Sequence, residues 1–459
     1  MDDMLDHLEH LRDQPVWQKM PAAKRQALRK SLPRQGEPAE AIYERFRELV
    51  LPYATGNTHP GFMGWVHGGG TAMGMLAELL AGGLNANLGG RDHAPIEVER
   101  QVIQWSAELL GLPPETSGLV VTGTSMANFI GVLVARRAAA CAAIRTQGVG
   151  SATLIAYTSQ VAHGCIAKAM DMAGLGSDHL RRIACDANQR MDPDALAIAI
   201  RSDREAGHWP FLVVGTAGTV DIGATDDLAA IGAIARMEKI WFHVDGAFGA
   251  MAALSAELRP LLAGIERADS VAFDFHKWMQ IPYDAGCILV RDPSLHIATF
   301  AQQTAYLTRE TRGLASGQVW PCDLGPELSR GFRALKVWMN WQHYGTERLG
   351  KMVARTCVIA RHLAARIDRE PMLERLAPVP LNIVCFRVVN GSNDLDRFNR
   401  EIVADVQEAG LAAPSTTVID GKLAIRAAIV NHRTNPEDVD AMVDAVLAAA
   451  AVRAELALA

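Results

Sequence analysis

The chain has 459 residues, 49% hydrophobic and 21% charged, a balance that excludes long disordered tracts and, at about 150 residues per domain, allows roughly three units or one large two-domain enzyme. Lys and Arg number 45 against 51 Asp and Glu, a formal charge of −6 with no long run of one sign, which argues against a nucleic-acid partner. Seven scattered cysteines (Cys141, Cys165, Cys185, Cys287, Cys322, Cys357, Cys385), never in a C-x-x-C pair, exclude a zinc ribbon or disulfide scaffold and point to free thiols in a reducing compartment.

The first fifty residues carry three amphipathic helical patterns punctuated by Pro, DMLDHLEHL, PAAKRQALRKSL and EPAEAIYERFRELV. A Gly-rich loop, HPGFMGWVHGGG, leads to a helix near Thr71–Leu84 and another that Pro95 starts, running to Leu110. From Gly118 short apolar runs alternate with helical patterns: GLVVT, ATLIAY, HLRRIAC, PFLVVGT, KIWFHVD, DSVAFDF and, closing the series, GCILVRD. Uninterrupted apolar strands of this kind predict a mostly parallel sheet covered on both faces. GCILVRD follows too closely for a helical crossover and is expected to run antiparallel. A helix near Glu327–Trp341 then connects to NIVCFRV, KLAIRAAIV and an Ala-rich helix over Pro436–Ala451. The longest apolar stretch, Gly118–Ala143, is broken by Thr122, Ser125, Asn128 and two Arg, so a cytoplasmic protein with no membrane span is expected.

Ligands of parallel sheets sit beyond the carboxyl ends of the strands, so the residues there carry the chemistry. GLVVT ends in Gly123-Thr124-Ser125 at a helix start, small residues with free N–H groups suited to a phosphate. His163 follows ATLIAY, and Asp245 ends KIWFHVD, where a buried carboxylate requires a cation. His276-Lys277-Trp278 ends DSVAFDF, and burial would depress the Lys277 pKa and make the amine a nucleophile. Each feature has a plain structural reading alone: a capped turn, a satisfied histidine, a capping Asp, a snorkelling Lys. In this order they assemble a site for pyridoxal 5′-phosphate (PLP), with a phosphate cradle, a ring-facing His, a carboxylate for the pyridine nitrogen and a Lys for the aldehyde. No metal is called for.

Over nearly its whole length the chain resembles the group II PLP-dependent amino-acid decarboxylases, through HPGFMGWVHGGG, VTGTSMAN, HVDGAFGA, DSVAFDFHKW, FRALKVW and AIVNHRT. The resemblance implies the α/β fold type I of PLP enzymes: a helical arm (1–85), a large PLP-binding domain (86–345) and a small α+β C-terminal domain (346–459). It implies that Lys277 bonds the cofactor aldehyde, Asp245 pairs with the ring nitrogen, His163 stacks on the ring and contacts the substrate carboxylate, and Ala247 packs beneath. Gly123, Thr124, Ser125 and His276 match the phosphate end, Thr216 lines the cofactor pocket, and Trp65 and Val66 match positions around an aromatic substrate side chain. A homodimer with its active site at the interface is implied too, acting on a small amino acid. The loop 308–320 lacks the Tyr that the family uses to protonate the product, and the loop 88–93 lacks its usual aromatics. The expected reaction is decarboxylation of an L-amino acid, aromatic in preference, to the amine and CO2. The alternatives are an aldehyde-forming oxidative decarboxylase, a decarboxylase of glutamate, aspartate or cysteine sulfinate, another PLP lyase, an aminotransferase, and a silent PLP-binding homologue.

Overall fold

A computed structural model describes residues 2–140, 143–150, 153–302, 308–317, 319–389 and 392–458, so Cys141 and Gln318 lie outside it. The chain divides into two compact units, 1–69 with 356–459, and 70–355. The first unit begins with helices α1 (Asp2–Glu9), α2 (Ala22–Ala27) and α3 (Ala39–Leu49) and the short strand β1 (Phe62–Met63).

In the second unit, α4 (Ala72–Leu84) is capped by the Thr71 hydroxyl, which accepts from Gly74 N–H, and α5 (Ala94–Leu110) carries Pro95 in its first turn. Then follow β2 (Ser117–Val121), α6 (Thr124–Ala140), α7 (Ile144–Gln147), β3 (Leu154–Ser159), α8 (Cys165–Met172), β4 (Leu180–Ile183), α9 (Pro193–Glu205), β5 (Trp209–Thr216), α10 (Leu228–Glu238), β6 (Trp241–Asp245), β7 (Ser270–Asp274), β8 (Gly286–Val290) and α11 (Pro293–Phe300). The seven strands lie in the order β2-β8-β7-β6-β5-β3-β4. β3 to β7 run parallel, and β8 is antiparallel to both β7 and β2, as its short connection requires. Alternation along β6 shows how both faces are covered. Phe242 points to α10, where a Cβ on Gly232 would come within 3.1 Å of its ring, while His243 points to α6, where a Cβ on Gly131 would come within 2.7 Å. The connector helix α12 (Arg333–Ile367), interrupted at Gly345 (φ 68°), starts six residues later than its sequence pattern predicts, because the backbone bends at 328–329 and stays irregular to 332.

The rest of the first unit holds β9 (Leu373–Arg375), β10 (Ile383–Val388), α13 (Leu395–Glu408), β11 (Ala413–Ile419), β12 (Lys422–Ala428) and α14 (Pro436–Leu458). Its sheet, β1-β11-β12-β10-β9, packs Val384, Phe386 and Ile425 against Ile402 of α13 and Val439 and Val443 of α14. Among the described residues no helix is long and apolar enough to cross a membrane, and the six described cysteines are free.

One buried ion pair ties the second unit together. Arg330, its side chain 1% exposed, meets Glu99 of α5 at 2.6 Å and donates to the carbonyls of Leu88 and Val120, while Glu99 accepts from Val120 N–H at 3.0 Å. Arg330→Leu strands a buried carboxylate and two carbonyls, and is expected to destabilise the protein by about 3–5 kcal/mol, read as a lowered urea midpoint.

Candidate active site

The carboxyl edge of the large sheet gathers the reactive side chains. Thr216 and Asp245 end β5 and β6 as direct partners, Asp274 ends β7, and Ser159 ends β3. Because β8 is antiparallel, its first residue, Gly286, pairs with both Asp274 and Val121. A Cβ on Gly286 would lie 2.5 Å from Gly123 Cα and 2.8 Å from Asp274 Oδ1. Glycine is therefore needed at 286 for the turn after β2 to approach Asp274. That approach lets Thr124 N–H, in the first turn of α6, donate to Asp274 Oδ1 at 2.7 Å. The positive end of the helix dipole adds to the interaction.

Asp274 also meets Lys277 Nζ at 2.9 Å and lies 3.6 Å from His276 Nε2. Burial does lower the Lys277 amine, as expected from the sequence, but Asp274 in contact with it, together with the nearby Asp245, outweighs burial and holds the ammonium above its ordinary range. The depressed lysine predicted from burial alone is thus corrected by a carboxylate three residues away. His276, buried, accepts Ala285 N–H at Nδ1 (3.1 Å), and desolvation lowers its pKa, so the neutral ring carries its proton at Nε2.

Asp245, 4% exposed, accepts Ala247 N–H at Oδ1 (3.1 Å), and at Oδ2 the Asn128 amide (3.1 Å) and the Cys165 thiol (3.7 Å). Burial pushes its pKa up, against these donors and against the nearby Lys277 and His163. His163 lies two residues before α8, exposed to solvent, and its Nδ1 accepts Cys165 N–H at 3.2 Å. Its proton in the neutral form therefore sits at Nε2, pointing away from that contact.

Three buried hydroxyls at this edge, Thr124 Oγ1, Ser159 Oγ and Thr216 Oγ1, have no partner among the described residues. Unsatisfied buried hydroxyls cost about 1–3 kcal/mol each, so they fit a ligand that brings hydrogen-bonding groups of its own. A phosphate at the start of α6, an aldehyde at Lys277 and a ring nitrogen at Asp245 match the set, with Ser125 exposed beside Thr124 and Ala247 half-buried after Asp245.

Trp65 and Val66 lie in the other unit. Val66 is buried, whereas Trp65 is 54% exposed with φ 49°, its ring 5.9 Å from that of His67. Arg426 donates to the Trp65 carbonyl at 2.9 Å. The loops 88–93 and 308–320 touch: Asp92 N–H donates to Leu314 O at 2.9 Å, and the Arg91 guanidinium lies 4.6 Å over the ring of buried Trp320.

Three site residues escaped the sequence reading: Asp274, Asn128 and Cys165. Asp274 had a signal, since an acid ending the apolar run SVAFD meets the same burial argument that singled out Asp245. Asn128 and Cys165 had none, because a polar residue inside a helix declares no partner.

The sequence pattern of the pyridoxal-dependent decarboxylase conserved domain matches residues 21–389. The chain is similar to an aromatic-L-amino-acid decarboxylase of Bacillus atrophaeus, 31% identical over 96% of this chain and 91% of that one. It is similar to a phenylacetaldehyde synthase of Arabidopsis thaliana, 29% identical over 94% of this chain and 90% of that one. Its structure is similar to that of Oryza sativa TDC with PLP and tryptamine, with a TM-score of 0.90 and 26% identity, covering 98% of this chain and 96% of that one.

If Thr216 Oγ1 waits for the cofactor, Thr216→Val weakens PLP binding about five- to tenfold, the net worth of one hydrogen bond. The melting temperature of the PLP-free protein stays equal or rises, since a stranded hydroxyl is removed. Fluorescence titration with PLP beside a thermal melt checks this, and a lower melting temperature with unchanged affinity would make the hydroxyl structural.

Proposed function

The chain belongs to the pyridoxal-dependent decarboxylase family, and from that premise we propose that it removes the carboxyl group of an aromatic L-amino acid as CO2 and releases the amine, with Lys277, Asp245 and His163 at the reacting centre. The observation that carries the reading is the meeting of Lys277, Asp274, Asp245 and the unpartnered Thr216 hydroxyl at the ends of three adjacent strands. The aromatic preference is supported by the decarboxylase of Bacillus atrophaeus and by the tryptamine in the Oryza structure.

PLP, when bound, supplies an aldehyde that takes up the substrate amine and a ring that accepts the electron pair left by the departing carboxyl group. Lys277 is the amine to hold the aldehyde carbon, Asp245 the carboxylate to face the ring nitrogen, and Thr124, Ser125, Gly123 and His276 the groups for the phosphate. The Lys277 amine must shed a proton before it bonds to carbon, and Asp274 Oδ2 at 2.9 Å is the base in contact with it. Ala247 N–H and Asn128 donate to the Asp245 carboxylate and oppose the burial that raises its pKa, and a cationic ring nitrogen facing it would favour the charged form further. Ala247 follows Asp245 beneath the ring, and Thr216 flanks it on β5. His163, with Nδ1 engaged and Nε2–H free to point outward, is the acid placed to protonate the substrate's α carbon once CO2 has left. Trp65 and Val66 are assigned to the aromatic side chain of the substrate. We read the enzyme as a cytoplasmic homodimer with its active site at the interface, supported by the free described cysteines and by the family resemblance.

A second reading, oxidative release of an aldehyde, is favoured by one observation: the loop 308–320 holds no Tyr. The similarity to a phenylacetaldehyde synthase agrees with it.

Lys277→Ala is expected to abolish turnover while leaving a folded protein that still binds PLP non-covalently. Borohydride reduction of the wild type should place the cofactor mass on Lys277, and its appearance on any other lysine overturns the assignment. For the outcome at the α carbon, amine is expected to dominate with a minor aldehyde fraction, and His163→Gln to lower total turnover about 10²- to 10⁴-fold. An oxygen electrode beside amine chromatography decides. Stoichiometric O2 uptake with aldehyde, ammonia and peroxide, and no amine, establishes the second reading.

A further inference from the structure

Behind Asp245 runs a line of neutral polar side chains whose other contact with the site is from Asn128 Nδ2 to the Cys165 thiol at 3.2 Å. Asn128 of α6 donates from Nδ2 to Asp245 Oδ2 at 3.1 Å, and its Oδ1 lies 2.8 Å from His243 Nε2. His243 Nδ1 lies 2.7 Å from Ser270 Oγ, which accepts Trp241 Nε1–H at 2.8 Å. His243 and Asn128 are fully buried and Ser270 is 1% exposed.

With Asp245 ionised and Ser270 Oγ as the partner of His243 Nδ1, hydrogen-bond valence selects one arrangement of protons. The Asp245 carboxylate only accepts, so the Asn128 amide must present its NH2 to it and its carbonyl to His243. His243 must then donate from Nε2, which leaves Nδ1 bare to accept Ser270 O–H, and the Ser270 oxygen takes the indole N–H. Every donor points toward Asp245. The placement is built into the fold: His243 and Ser270 are direct partners across β6 and β7, and Asn128 and Gly131 share one face of α6. Gly131 has no side chain where a Cβ would lie 2.7 Å from the imidazole.

We propose that Trp241, Ser270, His243 and Asn128 form a one-way hydrogen-bond relay that holds Asp245 ionised and aimed, which makes His243 and Asn128 positioning residues for the decarboxylation although neither reaches the reacting atoms. Burial pushes His243 down to about 3, so the imidazole stays neutral at any working pH and the relay keeps its direction. Asn128 is among the groups that oppose the burial raising Asp245. Chains of aligned hydrogen bonds polarise one another in a low-dielectric interior, so a group two bonds away still acts on the carboxylate.

The proposal rests on the assignment of Asp245 to the ring nitrogen, and one experiment separates the two. Holoenzymes reconstituted with PLP labelled with ¹⁵N in the ring are compared by NMR and steady-state kinetics, with cofactor occupancy confirmed. In Asn128→Leu and in His243→Phe the ring resonance should move from the protonated toward the unprotonated position, and kcat should fall about 10- to 100-fold with KM within about twofold. The double variant should be no slower than Asn128→Leu alone, because His243 acts only through Asn128. Should His243→Phe fail to fold, Ser270→Ala tests the far end of the relay, with a smaller shift of the resonance in the same direction. A resonance that stays protonated in Asp245→Asn overturns the assignment itself. One that moves in Asp245→Asn but not in Asn128→Leu overturns the relay alone, as do single-variant losses that multiply in the double.

Discussion

Asp245 and Asp274 end adjacent parallel strands at 4% and 3% exposure, and an ionised carboxylate in such surroundings costs several kcal/mol unless donors or cations face it. Much of the architecture around the sheet edge answers that demand. Asp274 is met by Lys277, by Thr124 N–H at the start of α6 and, more distantly, by His276. Asp245 is met by Asn128, Ala247 N–H and the Cys165 thiol. α6 serves both, with its first residue at Asp274 and Asn128 at Asp245, one turn apart. A helix laid across the sheet with that spacing sets two charged groups in register, and the packing of Ala127, Ile130 and Val134 on β2, β7 and β8 holds it there.

The two carboxylates are compensated in different ways, and the difference has chemical content. Asp274 has its cation within the chain, so Lys277 is held as an ammonium until the amine is needed. Asp245 has only neutral donors in direct contact, and burial leaves its pKa raised. An anion stabilised mainly by dipoles is a standing invitation to a cation, and the protonated ring nitrogen we assign to Asp245 would answer it. The unpartnered hydroxyls of Thr124, Ser159 and Thr216 say the same in neutral terms: the site is finished by a ligand with polar groups at several places.

The central strands of the large sheet, β3 and β5 to β8, were legible because they are buried on both faces and read as nearly unbroken apolar runs, with the antiparallel turn of β8 deducible from its short connection, whereas the edge strand β4 carries Arg181 and Arg182. β11, Ala-Pro-Ser-Thr-Thr-Val-Ile, was not, since Pro and three hydroxyl residues mask a strand whose N-terminal half is buried by its neighbours. The start of α12 was misplaced because the apolar spacing of 327–332 continues the helix pattern while the backbone bends there. In the site, Lys277, Asp245 and Thr124 were legible from strand ends alone. The pKa of Lys277 was not, since it depends on the distance to Asp274, and neither was the partnership of Asn128 with His243, which pairs residues 115 positions apart in the chain.

The sheet edge and the loops beside it divide the enzyme's properties between them. Positions at the edge are set by backbone register: Thr216 opposite Asp245, Gly286 opposite both Asp274 and Val121. A change there disturbs several groups at once, which keeps the cofactor chemistry constant while identity to a solved relative falls to 26% at a TM-score of 0.90. The described residues of the loop 308–320 are held otherwise, by the backbone bond from Asp92 N–H to Leu314 O and by single side chains. Trp320, 2% exposed, sits beneath the Arg91 guanidinium, Gly90 leaves room for its indole, and Ser316 bonds Asp92. A loop fastened by a few such contacts can exchange residues without moving a strand. The fate of the α carbon after CO2 leaves depends on which acid reaches it first, and that acid can be gained or lost from such a loop. Amine-forming and aldehyde-forming enzymes can therefore share one sheet edge, and in this chain we assign the proton to His163, in the loop that follows β3.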